Sequence, residues 1–457
     1  MSTLALVSNA WLDSSTEKIR SKPVPWEGYQ RANLVTSEEL ALIKKVDRQP
    51  QAKVQSLLVT DGPTYATLYL KLLKKLVRVD TMQYLLVMIG DALLDHDERI
   101  PLFTKQIDAE PELPYGPLLR ACTTPDEFVQ LKAAQILTTL LSSESGPLPN
   151  QHVQPFLNTL ASLIHGSSPH ARDVAVQSLE ALLTRTECRT AAWSMPNVVD
   201  GLVTILESNP TPQMCYQVGF CFWLLTFEQD VAEQINRKFD IIPLLMIIAQ
   251  SVVKEKVQRV IVATYRVRKH PFIQDGISDD MDYFGQNLVA KAPSQNLPAM
   301  LVAKLLPYVK NLSTRKWSDE EIVEDIEFLK EELTKNFESL TTYDEYTSEL
   351  ASGHLSWTPV HDSEAFWKEN ATKLNDKDYE QLKVLVKLLK ESTDPVVLAV
   401  AAHDIGQYTK HYERGKKTIS DLGAKTRVME LMSHDNPDVR YQALLTTQRL
   451  VSQAWVG

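Results

Sequence analysis

A short pattern recurs four times along the chain: a capping residue, a proline, and then apolar positions leading to a small or slender side chain. It reads Ser168-Pro169-His170-Ala171-Arg172, Thr211-Pro212-Gln213-Met214-Cys215, Asp394-Pro395-Val396-Val397-Leu398 and Asn436-Pro437-Asp438-Val439-Arg440. Proline suits the first position of a helix, where its missing N–H would have had no partner. A Ser, Thr, Asp or Asn before it can accept from the exposed donors. Ala175, Val218 with Gly219, Ala401 with Ala402, and Ala443 follow six or seven residues on, where slender side chains let helices pack closely. The prolines are 43 residues apart in the first pair and 42 in the second. That is the period of armadillo and HEAT repeats.

Weaker copies extend the series. Glu255 opens one and Asp126 another, the latter with Ala133 and Ala134 at the small positions, and a further step back lands on Gln83 in an apolar run. Elsewhere apolar residues keep the helical period, as in Leu382, Leu385, Val386 and Leu389, while strand-like alternation is nearly absent. The expectation is an all-α chain: an armadillo/HEAT-like solenoid with a smaller C-terminal helical-repeat domain. Stacked repeats leave an extended surface suited to macromolecular partners.

The series breaks after His270. Asp275 to Met300, with Gly, Pro and the acidic cluster Asp279, Asp280 and Asp282, reads as a loop without the spacing of a calcium-binding loop. Ser318 and Glu321 form a capping box for a helix with Ile322, Ile326, Leu329, Leu333 and Phe337 on its apolar face. From Ser318 to Glu338 there are nine Asp/Glu against two Lys, a face open to two readings, solvated or docking a basic partner. The Gly- and Pro-bearing stretch around Gly353 and Pro359 reads as a hinge. The expected domains are residues 1–351, a linker over 352–363, and residues 364–457.

Chemistry is hard to find in the sequence. Gly415-Lys416-Lys417-Thr418 and Gly423-Ala424-Lys425-Thr426 lack the spacing and preceding strand of a phosphate-binding loop. His165 and His170 are off the spacing that would align two ligands on one helix face, and no Cys-x-x-Cys pair occurs among Cys122, Cys188, Cys215 and Cys221. The expectation is therefore no catalytic residue, no metal and no cofactor. A formal net charge of −10 argues against nucleic acid, and the basic patch Arg266, Arg268 and Lys269 is too short to reverse that. Apolar runs are too short to span a bilayer, and the first residues carry no basic flank of a secretory signal, so a cytosolic protein without direct membrane insertion is expected. Trp193 and Asn197 stand four apart, as in the ladders with which armadillo adaptors hold extended peptides, but the spacing does not recur.

Several longer segments carry a family resemblance. They include Phe222-Trp-Leu-Leu-Thr-Phe227, Ile241-Ile-Pro-Leu-Leu245, Trp317-Ser-Asp-Glu-Glu321 and Trp357-Thr-Pro-Val-His361. The most specific are Phe366-Trp-Lys-Glu-Asn370, Leu398-Ala-Val-Ala-Ala-His-Asp-Ile405, His411-Tyr-Glu-Arg-Gly-Lys-Lys417 and Val439-Arg-Tyr-Gln-Ala-Leu444. Together they resemble the H subunits of vacuolar (V-type) proton-pumping ATPases, strongly from about Phe220 onward.

The resemblance implies a non-catalytic regulatory subunit of the peripheral V1 sector, with hydrolysis left to other subunits. It further implies that the N-terminal solenoid grips the peripheral stalk, built of the E and G subunits, and that the C-terminal domain meets the cytosolic part of the membrane sector's a subunit. In the detached sector that domain would contact catalytic-sector and rotor subunits and silence hydrolysis. The implied location is the cytosolic face of vacuolar and endosomal membranes. By the same analogy the inhibitory contact falls on Lys390, Glu391, Ser392, Thr393 and Asp394, while Lys410, His411, Arg414, Lys416 and Lys417 form a second, basic surface. The swing would occur about Ser352, Gly353, Trp357 and Pro359. The alternative reading is an armadillo-type peptide-binding transport adaptor.

Overall fold

The computed structural model describes residues 6–452 except 109, 145, 149, 266–286 and 341. Among these residues every regular element is a helix, and none is long and apolar enough to cross a membrane. The chain divides into two compact units, Met1–Ala292 and Pro293–Gly457.

All four proline-marked starts are capped as the pattern implies. Ser168 accepts from Ala171 N–H, Thr211 from Met214 N–H, Asp394 from Val396 N–H, and Asn436 from the N–H groups of Asp438 and Val439. The weaker copies are helix starts too: Asp126 caps the helix Glu127–Ser142, and Glu255 opens Glu255–Tyr265.

In the first unit the helices Val79–Leu93, Glu127–Ser142, Pro169–Leu182, Pro212–Leu225 and Glu255–Tyr265 stack side by side in that order. Each closes one repeat. The repeat ending at Leu225 has all three armadillo helices, Thr186–Trp193, Pro196–Glu207 and Pro212–Leu225. The next repeats that plan with Gln229–Phe239, Ile241–Ser251 and Glu255–Tyr265. Neighbours approach most closely at the small positions. A Cβ on Gly219 would lie 3.0 Å from Val260 Cγ1.

Polar side chains also tie one repeat to the next. Gln83 donates to both oxygens of Asp126 at 3.1 Å, and Ser168 bonds Glu127. Arg189, only 2% exposed, donates to Glu228 at 2.6 Å and to the carbonyls of Leu183 and Thr184. A buried guanidinium needs such partners, because its desolvation is costly otherwise. The four cysteines are buried and free.

The loop expected over 275–300 needs correction in its second half. Residues 275–286, with the acidic cluster, lie outside the described residues, as do Arg266, Arg268 and Lys269. Beyond them Leu288–Lys291 and Pro293–Val302 are helical, the second despite Pro298 inside it. Pro293 stands at a helix start, where proline is tolerated, so the Pro content that suggested a loop is compatible with this short helix.

The second unit opens with Pro293–Val302, Leu305–Leu312 and the acidic helix Glu320–Leu340. That helix buries Ile322, Ile326, Leu329 and Leu333, as its period implies, and Asp319 Oδ1 accepts from Glu321 N–H at its start. One hydrophobic cluster then runs from Tyr346 to Leu450. Its centre is the pair Pro395–His411 and Pro437–Val451, the closing helices of the two C-terminal repeats. At Gly406 a Cβ would collide with Thr446 Oγ1, which itself donates to Ala402 O at 2.7 Å.

Candidate functional site

The C-terminal part holds a buried charge network as well as the surfaces singled out from sequence. Helix Tyr343–Ser352 supplies Tyr346 and Glu349, the short helix Pro359–Asp362 supplies His361, and the repeat helix Pro395–His411 supplies His403 and Asp404. Asp404 is fully buried amid Ala401, Ala402 and Ile405. Such a carboxylate must be paired.

His361 Nδ1 lies 2.8 Å from Asp404 Oδ2 and its Nε2 3.3 Å from Glu349 Oε1. Tyr346 Oη donates to Asp404 Oδ2 at 3.1 Å, and His403 Nδ1 sits 3.2 Å from the other oxygen. Burial pulls the His361 pKa down, but Asp404 and Glu349 outweigh it and hold the ring at about 10. Burial alone would raise Asp404 and Glu349, yet the facing histidines for Asp404, and His361 with the Ser356 and Thr358 donors for Glu349, leave both below their usual values. His361 is thus an imidazolium with both N–H groups donating to carboxylates. It is a pin joining three segments, and the described residues contain no cluster suited to a metal ion.

That pin changes the reading of the expected hinge. Ser352 is exposed, and Gly353 takes the left-handed φ of 74° that ends its helix. From there Glu349 gathers the turn in, accepting from Ser356 N–H at 2.8 Å and Thr358 Oγ1 at 2.9 Å. Trp357 packs edge-on against His403 with centroids 5.3 Å apart, and Pro359 is buried at the start of its helix. Tyr346 before the turn and Val360 after it belong to the same core. Glycine and proline here shape a turn inside one packed unit, so a swing about Ser352–Pro359 would tear that core.

The segment 390–394 is a tight turn. Lys390 and Glu391 are the last residues of helix Asp376–Glu391, and Lys390 Nζ donates to Leu422 O at 2.9 Å. Only Ser392, Thr393 and Asp394 connect it to the next helix; Asp394 N–H donates to Ser392 Oγ at 3.1 Å while its carboxylate caps Val396. Thr393 and Asp394 are exposed.

The five basic residues are close in sequence but differ in role. Lys410 pairs with Glu364 at 3.0 Å, and Lys416 donates to Ser452 O. His411 is half-buried, with burial and then Lys410 lowering its pKa. Arg414 and Lys417 are exposed. Lys410 is exposed as well, its charge paired with Glu364.

Trp193, the start of a possible peptide ladder, is half-buried against its own chain. Phe239 meets it edge-on at 6.2 Å, and Lys238 Nζ lies 4.5 Å from its ring centroid.

Sequence reasoning missed the network of Glu349, His403, Asp404 and Tyr346. A signal was present: an aspartate in the middle of Leu398-Ala-Val-Ala-Ala-His-Asp-Ile405, where a buried carboxylate demands a partner.

Two family models, both describing the V-ATPase H subunit, match the chain, the N-terminal one over residues 10–268 and 284–333 and the C-terminal one over 339–455. The H subunit of the V-type proton ATPase of Drosophila melanogaster is 31% identical over 98% of this chain and 92% of its own length. A probable V-type proton ATPase H subunit of Oryza sativa subsp. japonica is 29% identical over 95% and 96%. Among solved structures, an engineered protein aligns over 98% of each chain with a TM-score of 0.47 at 16% identity. The sequence matches, which span both compact units at full length, assign the chain to the family of V-type proton ATPase H subunits.

Proposed function

We propose that this chain is a non-catalytic coupling and regulatory subunit of the peripheral V1 sector, acting at the cytosolic face of acidified compartments. The observation that carries this reading is the pair of family matches covering both halves of the chain. ATP hydrolysis then belongs to other subunits. In this reading the N-terminal solenoid grips the peripheral stalk of E and G subunits, and the C-terminal part meets the cytosolic domain of the a subunit in the assembled pump. On the detached sector the C-terminal part contacts catalytic-sector and rotor subunits and stops hydrolysis. The rival reading, a peptide-binding transport adaptor, gains no support from the matches.

Two positions of one body require only a differential contact energy of a few kcal/mol. The pivot in this reading lies N-terminal to Tyr343, since the 352–359 turn sits inside one core. The turn at Ser392–Asp394 and the exposed Arg414 and Lys417 are the proposed contact surface. The test is to add the purified full-length chain to the isolated catalytic sector and follow both binding and ATP hydrolysis. Binding with loss of hydrolysis, weakened by Arg414→Glu with Lys417→Glu, supports the assignment. Unchanged inhibition by that double variant moves the contact elsewhere, and absence of binding overturns the reading.

A further inference from the structure

Where the two closing helices of the second unit end, one arginine has no partner. Pro395–His411 and Pro437–Val451 run in the same direction. Thr446 donates to Ala402 O at 2.7 Å, and one turn further a Cβ at Gly406 would lie 3.0 Å from Arg449 Nη1. The guanidinium of Arg449 thus lies along the neighbouring helix, and the absence of a side chain at Gly406 is what lets it come so near. Arg449 is half-buried, and among the described residues it makes no hydrogen bond and no ion pair. Burial lowers its pKa and no neighbouring carboxylate raises it. Arg189 in the first unit shows the contrast, since its buried guanidinium has Glu228 and two carbonyls to receive it.

Other cations crowd the same place. His411 ends the first of these helices, and its pKa is lowered by burial first and then by Lys410, Arg449 and Lys368, with Glu364 alone opposing them. The ring makes no hydrogen bond among the described residues, and only its Nε2 is shut from solvent. Nδ1 is therefore the nitrogen left to a ligand. Lys410 is engaged by Glu364 at 3.0 Å, whereas Lys368, on helix Glu364–Asn370, is exposed and has no hydrogen-bond partner among the described residues.

These charges do not balance. Arg449, Lys368 and Lys410 face a single carboxylate, Glu364. The two helix C-termini contribute roughly half a negative charge each, which still leaves a surplus of about one positive charge. Covering an unpaired guanidinium costs free energy, because its five N–H donors lose water and gain no acceptor. An anion seated there would supply the acceptors.

We propose that Arg449, His411 and Lys368 form a binding site for a phosphate monoester group, with Lys410 and Glu364 at its rim. A phosphate group suits these donors better than a carboxylate. It carries about −1.5 to −2 charges near neutral pH and three acceptor oxygens. A planar fork from one helix, a ring N–H from the next and an ammonium from a third can each take a different oxygen. The site is separate from the exposed Arg414 and Lys417 and does not rest on the regulatory reading.

The test compares melting of the full-length chain in chloride and in orthophosphate at matched ionic strength, with Lys53→Gln in the first unit as a control of equal charge change. The native chain and the control should melt at higher temperature in phosphate, saturably. Salting-out by phosphate acts on any variant, so the decisive comparison is Arg449→Gln, which should lose the saturable shift and bind phosphate at least about tenfold more weakly by calorimetric titration. In chloride alone Arg449→Gln should melt no lower than the native chain, because it removes an unpaired cation. A lower melting temperature there would make Arg449 a structural tie and overturn the proposal. Sulfate stays a dianion across the range, and the His411 ring, identified in NMR spectra by its loss in His411→Gln, should titrate at higher pH with sulfate than without. Vesicles with and without a phosphoinositide separate the sources of the group. Arg449-dependent retention on the phosphoinositide vesicles supports a lipid headgroup, and an Arg449-dependent response to orthophosphate without retention supports a soluble phosphate ester. A chain that responds to neither, or whose response survives Arg449→Gln, overturns the site.

Discussion

His361 concentrates the chemistry of the C-terminal core in one ring. Both of its N–H groups meet carboxylates in a fully buried place, and removing one member strands the others. His361→Ala should therefore destabilise the second unit by about 3–5 kcal/mol, read as a lower denaturant midpoint. The pH dependence has two limbs. The histidine's raised pKa gives stability that is complete below its unfolded value of 6.5 and is lost as pH rises through about 10. Asp404 and Glu349 are depressed, so their share is present above their unfolded values and is lost as pH falls through the folded ones. Thermal melts across pH should show a plateau between these limbs, with the alkaline loss reduced in His361→Ala. A variant whose alkaline limb matches the native chain would contradict the imidazolium assignment. The same residue shows what the sequence reading of this turn could not include. Gly353 and Pro359 carry the local signature of a swivel, whereas the groups that freeze them, Glu349 and Asp404, are up to 51 residues from Gly353 in the chain.

Among the elements, the repeat-closing helices were the most legible. Their caps and prolines act locally, and all four starts fall where the pattern puts them. Each cap is testable. Asp394→Ala or Asn436→Ala should cost about 1 kcal/mol, measured by urea unfolding. Interhelix fit is sharper at Gly406. Gly406→Ala forces a methyl onto Thr446 Oγ1, a steric insult of about 1–3 kcal/mol. Pairing it with Thr446→Ala should recover part of that loss, and strictly additive effects would show that the two helices do not meet as described. Less legible was the path of the first residues. Nothing in Val7-Ser8-Asn9 reports that Gln135 and Gln177 wait for it, because that match is made across 128 and 169 residues of chain. Leu288–Lys291 and Pro293–Val302 escaped for a different reason, since short helices beside prolines lack enough turns to show a period.

For the whole molecule, sequence period and helix starts were enough for the fold class, and the resemblance pointed to the family that the full-length matches then established. The packing of the 352–359 turn into the core was not legible, because it is made in three dimensions rather than by local composition. Limited proteolysis of the full chain should spare residues 352–359, which are bonded to Glu349 and packed in the core, and early cleavage there would restore the hinge to that turn. The central claim, that this chain restrains a detached catalytic sector, is tested most directly by titrating purified sector lacking its own H subunit with the full-length chain and measuring ATP hydrolysis. Hydrolysis should fall to a floor at one chain per sector, and Arg414→Glu with Lys417→Glu should shift the titration to weaker binding. Hydrolysis that stays constant while the chain binds would contradict the regulatory role itself.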